Sequence, residues 1–201
     1  MKNLKKSFIA LIAAFAVSCG DPDLPVELFP DMEYGAYARK MSQTGEYNYF
    51  AIESSAVDLH VEYYDANNGA NIAQYDIDVE YVDTKSGGAK SVARKDMRTI
   101  SASEFGTNAD GFLSSDINLG FSDAMSTLGM TQADVDGGSY FRYWFTITMT
   151  DGRVFDYNNA GPNLMSSSAF AALFRLNVYI CLLYTSPSPR DVVPSRMPSS
   201  A

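Results

Sequence analysis

Apolar and polar residues alternate with a period of two along several stretches of the chain. In "AVDLHVEYYD", Val57, Leu59, Val61 and Tyr63 share one face while Asp58, His60 and Glu62 share the other, the pattern of a half-buried strand. "QYDIDVEYVD" repeats it, with Tyr75, Ile77, Val79 and Tyr81 inward and Gln74, Asp76, Asp78 and Glu80 outward. The intervening "ANNGANIA" has the Asn and Gly content of a turn. A further strand is expected over Val92 to Ile100, and another in "SSDINLGF", carrying Ile117, Leu119 and Phe121.

The longest pattern is "YFRYWFTITMTDGRVFDY", two aromatic and β-branched arms joined through Asp151-Gly152, which reads as a hairpin. Phe141, Tyr143, Phe145, Ile147 and Met149 form its apolar face, and Tyr140, Arg142, Trp144, Thr146 and Thr148 form the other. "SDAMSTLG" is expected to be a short helix capped by Ser122 or Asp123 and ended by Gly129. "SSSAFAALFRLNVYI" reads as a turn followed by a last strand. Six to eight strands with one short helix imply an all-β fold, an antiparallel immunoglobulin or fibronectin III-like β-sandwich, over residues 34–180.

The front of the chain has a different pattern. Three lysines (Lys2, Lys5, Lys6) precede an apolar run from Phe8 to Val17 and then "SCG", the layout of a secretory signal peptide over residues 1–18. "AVSC" resembles a bacterial lipobox, which implies lipidation of Cys19 as the mature N-terminus. Such an anchor holds a protein on a membrane without a transmembrane helix. Residues 19–33 then form an acidic, Pro-rich tether.

From Cys19 to Ile180 there are 10 basic and 23 acidic residues, a net charge of −13. That balance disfavours nucleic acid and anionic lipid surfaces as partners. Apart from Cys19 the body has no cysteine, so no disulfide framework, thiolate metal site or cysteine nucleophile is available.

Candidate chemistry is sparse. His60 is the one histidine, and no nucleophile or second ligand motif points at it. The strand carboxylates Asp58, Glu62, Asp76, Asp78 and Glu80 all face outward, without the burial that sets apart the acid and base of a glycosidase. No catalytic residue and no cofactor is therefore expected, Gly-rich phosphate loops being absent. Calcium is the metal to weigh, through Asp65, Asn67, Asn68, Asp76, Asp110, Asp134 and Asp136, although "DANNGANIAQYD" departs from the EF-hand spacing. Trp144 is expected in the core of a sandwich; outside it, Trp144 with Tyr140 would be the rings to stack on a ligand.

The lipobox, the acidic spacer and the segments "TISASEF", "GMTQADVDGG" and "TMTDGRVF" together resemble surface lipoproteins of Bacteroidota type with an Ig-like domain, some of which sit near glycan-uptake systems. The resemblance implies a protein exported and lipid-anchored to the outer membrane, at the cell surface. Its function would be that of a non-catalytic accessory binding or spacer module for extracellular glycan or an outer-membrane partner protein. The alternative is a structural or adhesive lipoprotein with calcium-stiffened loops.

Residues 181–201 resemble translated sequencing adapter. "CLLYTSPSPRD" back-translates in one frame to the end of a transposase-type adapter, and Ser195 to Ala201 to its next fixed segment. Val192 to Pro194 fill the place of the barcode between them. The domain is accordingly expected to be truncated at Ile180, with an incomplete sandwich or a weakly held last strand. Long-read sequencing of the source DNA across the Ile180 codon is expected to run on into other coding sequence; a genome that encodes "CLLYTSPSPRD" itself would overturn this.

Overall fold

The alternating segments become strands of two sheets. The structure is a computed structural model and describes residues 34–182. It contains β1 (Tyr37–Gly45), β2 (Tyr47–Asn48), β3 (Ala56–Tyr64), β4 (Ile72–Val82), β5 (Val92–Ser101), β6 (Gly106–Thr107) and β7 (Leu113–Gly120). Helix α1 (Phe121–Leu128) follows, then β8 (Tyr140–Met149), β9 (Val154–Phe155), helix α2 (Pro162–Ser166) and β10 (Arg175–Cys181). Three strands are only two residues long, and the class is all-β. The signal segment, Cys19, the tether and residues 183–201 lie outside the described residues.

One sheet has the order β1-β3-β7-β6; the other runs β2-β10-β8-β4-β5, with β9 beside β8. Every long-strand pairing is antiparallel, and β2 pairs with β10 in parallel. The alternation read from the sequence holds in β3, β4 and β8, whose inward residues form one core with Ile117, Leu119, Phe121, Leu173 and Phe174. Burying each large apolar side chain contributes about 1.5–3 kcal/mol.

Five tyrosines, Tyr47, Tyr63, Tyr75, Tyr81 and Tyr143, are buried in this core. An unmet buried hydroxyl costs about 1–3 kcal/mol; the Tyr63 hydroxyl is buried without a hydrogen-bond partner, and the other four have one. The Tyr75 hydroxyl donates to the Leu173 carbonyl at 2.9 Å. That of Tyr81 accepts the Asp136 amide at 2.9 Å. Tyr47, on the larger sheet, reaches the Leu119 carbonyl of β7 in the other sheet at 3.1 Å and is also hydrogen-bonded to the Tyr143 hydroxyl. The Tyr47 ring stacks on Phe121 at 4.6 Å, and Tyr63 meets Tyr75 edge to face at 5.4 Å across the sheets. Burial pushes the hydroxyl pKa values of Tyr47, Tyr63, Tyr75 and Tyr143 up.

Three expectations change. Helix α1 starts at Phe121 rather than after Ser122 or Asp123, because Phe121 is buried and its amide donates to the Ser55 carbonyl at 2.9 Å. Its end is as expected, with Gly129 in the left-handed conformation at φ +73°, where a side chain is disfavoured. Residues Pro162–Ser166 form a second short helix with Pro162 in its first turn, a position that suits proline.

The last strand is not weakly held. β10 lies inside the larger sheet, paired with β8 from Arg175 to Tyr179 and with β2 at Ile180 and Cys181, and Val178 and Ile180 are buried.

Tyr143→Phe is expected to lower unfolding stability by about 1 kcal/mol, since Tyr47 keeps its bond to the Leu119 carbonyl. Tyr47→Phe is expected to cost more, about 1–3 kcal/mol, because it leaves both the Tyr143 hydroxyl and that carbonyl short of a partner. Urea unfolding followed by circular dichroism measures both, and equal costs would contradict the assignment.

Candidate functional site

The outer face of the larger sheet gathers the side chains that alternation turns away from the core. Strand register sets them in rows. Tyr179 stands beside Tyr140 and Val82, Asn177 beside Arg142 and Glu80, and Arg175 beside Trp144 and Asp78, with Asp96 beyond. Thr146 stands beside Asp76 and Thr99 in the next row.

Trp144 therefore lies on this outer face and not in the core. Its strand position follows the period of two, and the apolar side of β8 is already filled by Tyr143 and Phe145. Tyr140 shares the face, as the sequence placed it, but neither ring is an open platform. The guanidinium carbons of Arg94, Arg142 and Arg175 stand 5.4, 5.7 and 5.8 Å from the indole centroid. Arg142 is also 5.3 Å from the Tyr140 ring, and Arg175 is 4.2 Å from Tyr157. Each such cation–π contact is worth about 0.5–1 kcal/mol at an exposed site and more when water is excluded.

Most of this ladder is hydrogen-bonded as well. Arg142 donates to Glu80 at 2.9 Å, to the Tyr140 hydroxyl at 2.6 Å and to the Asn177 side-chain oxygen at 3.2 Å. Arg94 pairs with Asp78, its Nε donating at 2.6 Å. Burial raises the Asp78 pKa, against the pull of Arg94. Two donors are unspent. The Trp144 Nε1 is buried without a hydrogen-bond partner, and Arg175 is exposed and held by rings alone. The nearby Asp156 is occupied, accepting the Asn158 and Asn159 amides at 2.8 and 3.1 Å and so fixing the turn that presents Tyr157.

The calcium candidates are not brought together. Asp65 turns both oxygens onto its own loop and accepts the amides of Asn67, Gly69 and Asn71 at 2.6, 2.8 and 2.8 Å. The side chain of Asn67 donates to Asn71. Asp76 accepts from Gln74 and Thr99, Asp134 from Thr131, and Asp136 from Lys90. Among the described residues, no three His, Cys, Asp or Glu side chains are placed to hold a metal ion. These Asp and Asn residues do turn and cross-strand work.

His60 lies on the outer face of the smaller sheet, where its Nδ1 is 2.6 Å from Asp116 Oδ1 and Ser42 is opposite in register. The three border a hollow of about 320 Å³. Asp116 is 90% exposed, so the carboxylate is solvated where a catalytic triad needs it buried.

The chain matches no known protein family, no curated protein and no solved structure.

Sequence reasoning named Tyr140, Arg142 and Trp144 as one face but missed Arg94, Arg175 and Tyr157. "LFRLNVYI" carries a usable signal, because its alternation sets Arg175, Asn177 and Tyr179 together. For Arg94 and Tyr157 no local signal exists, since strand register and the turn after β9 bring them in.

Arg142→Ala removes three hydrogen bonds and two ring contacts from a side chain only 24% exposed. It is expected to lower stability by about 1–3 kcal/mol and to shift the emission of Trp144, the one tryptophan, to longer wavelength. An unchanged spectrum would mean that the ladder does not shield the indole.

Proposed function

We propose that this is a non-catalytic, lipid-anchored surface protein of an outer membrane, with an immunoglobulin-like domain that serves as an accessory binding module for extracellular glycan. The observation that carries the reading is the outer face of the β10-β8-β4-β5 sheet, where arginine, tyrosine and tryptophan are combined with Asn, Thr and Gln side chains. Tyr179, 56% exposed, is its one large exposed aromatic ring. An open tyrosine ring beside arginine and amide side chains suits sugars, which offer a C–H face to the ring and hydroxyls to the hydrogen-bonding groups.

The strand order supports the immunoglobulin reading. β1-β3-β7-β6 follows the A-B-E-D sheet of such domains and β10-β8-β4-β5 the G-F-C-C′ sheet. β4 and β8, which correspond to strands C and F in that order, carry Tyr75, Tyr81 and Tyr143 into the core. Anchoring rests on "AVSC" behind an apolar run; among the described residues no helix is long and apolar enough to cross a membrane.

Cys19→Ala tests the location. In bacteria fed an alkyne fatty acid, the parent chain is expected to take up label and sediment with membranes, and the variant is expected to lose both. Label retained by the variant would remove the anchor.

A further inference from the structure

In a domain with more acidic than basic residues, arginines find carboxylates easily. Arg94, Arg98, Arg142 and Arg153 each have one, in Asp78, Glu104, Glu80 and Asp151. Arg39 and Arg175 make no ion pair among the described residues; Arg39 stands opposite Glu62 in register on the smaller sheet, and Arg175 has no carboxylate directly opposite it. Its guanidinium is held against the rings of Tyr157 and Trp144, so its rotamer is constrained while its N–H donors stay open at the surface. The indole N–H of its cross-strand neighbour Trp144 also lacks an acceptor. That N–H is buried, so the donors open to a ligand are those of the exposed Arg175 guanidinium, and what they lack is an acceptor.

We propose that Arg175, braced by Tyr157 and Trp144, is the recognition site for a carboxylate on the glycan, so that the ligand is a glycan bearing a uronic acid. This rests on the glycan-binding reading given above. A carboxylate accepts two parallel bonds from a guanidinium, and such charge-assisted pairs are among the stronger hydrogen bonds. Holding the arginine in place beforehand lowers the entropy lost on binding.

Arg175, Asn177 and Tyr179 share one face of β10, and four residues of strand span about 13 Å. A short oligosaccharide can place its uronate on Arg175 and a ring further along its chain on Tyr179. The rest of the protein constrains the charge density of the ligand. With a net charge of −13 from Cys19 to Ile180, acidic surface around the site repels a dense polyanion. Isolated uronates on a neutral backbone are favoured over a polyuronate.

The test titrates the full chain with a xylo-oligosaccharide carrying one glucuronic acid branch, read by the emission of its single tryptophan. The same oligosaccharide with the carboxyl reduced serves as the neutral probe and a Glu-rich peptide as the protein-like probe. Saturable binding of the acidic sugar is expected. It should weaken about tenfold or more in Arg175→Gln, be partly kept in Arg175→Lys, and be absent for the reduced sugar, with circular dichroism showing each variant fully folded at the assay temperature.

Equal affinity for the acidic and reduced sugars, or an Arg175→Gln variant that binds like the parent, would overturn the uronate assignment while leaving glycan binding in place. Binding of the peptide alone would assign the face to a protein partner and remove the glycan reading with it. No binding of any probe would overturn the uronate assignment.

Discussion

The hydrogen bonds of the buried tyrosine hydroxyls are the constraint on which the rest of this structure depends. No disulfide crosses the core, and five of its largest buried side chains carry a hydroxyl that is costly to bury without a partner, a cost met at Tyr47, Tyr75, Tyr81 and Tyr143 and borne at Tyr63. Tyr47 resolves this by bonding across the gap, from β2 in one sheet to the Leu119 carbonyl at the end of β7 in the other. Tyr75 and Tyr81 secure the loops that lead into and out of the larger sheet, through Leu173 and the Asp136 amide. Apolar packing alone would tolerate one sheet sliding on the other. Directional bonds at fixed carbonyls add a constraint between the sheets, while the backbone ladders and the alternating burial set the register of β8 and β10 and so the rows of the outer face.

That dependence explains why so much of the outer face was legible from alternation and so little of its assembly. Strands β3, β4 and β8 show a strict period of two because one side of each faces tyrosine, phenylalanine and branched aliphatics. β1 left no such mark: of its nine residues only Ala38 is buried, and an edge strand with one small inward residue has no hydrophobic rhythm. The two-residue strands are too short for any pattern. The position of Trp144 pitted a residue-type tendency against its place in an alternating run, and the run was the better guide, because a one-residue slip would have moved every apolar neighbour out of the core.

The expectation of a weakly held last strand failed for a related reason. It drew on the change of sequence after Ile180 and gave too little weight to "RLNVYI", read as a strand, which supplies Leu176, Val178 and Ile180 at alternate positions. These are enough to set β10 between β8 and β2.

The acidity of the chain also acquires a structural cause. Asp65, Asp83, Glu104, Asp134, Asp151 and Asp156 each accept backbone amides within a turn or at the start of a 3-10 helix. For Asp83, the Ser86 hydroxyl and the amides of Lys85, Ser86 and Lys90 hold the carboxyl well below the usual range. Carboxylates turned onto their own loops stiffen the connections between strands and leave few oxygens to converge on a cation. The negative charge is thus spread over the loop ends, while Arg94, Arg142 and Arg175 are concentrated on one sheet face. Three arginines around one indole repel one another unless each is offset, and Asp78 and Glu80 offset two. The third, Arg175, has no carboxylate paired with it. The excess of acid over base holds on this face too, where Asp78, Glu80 and Asp96 stand in the same rows as the arginines and Asp76 in the next, so what is local to Arg175 is the missing partner and not a change in the sign of the charge.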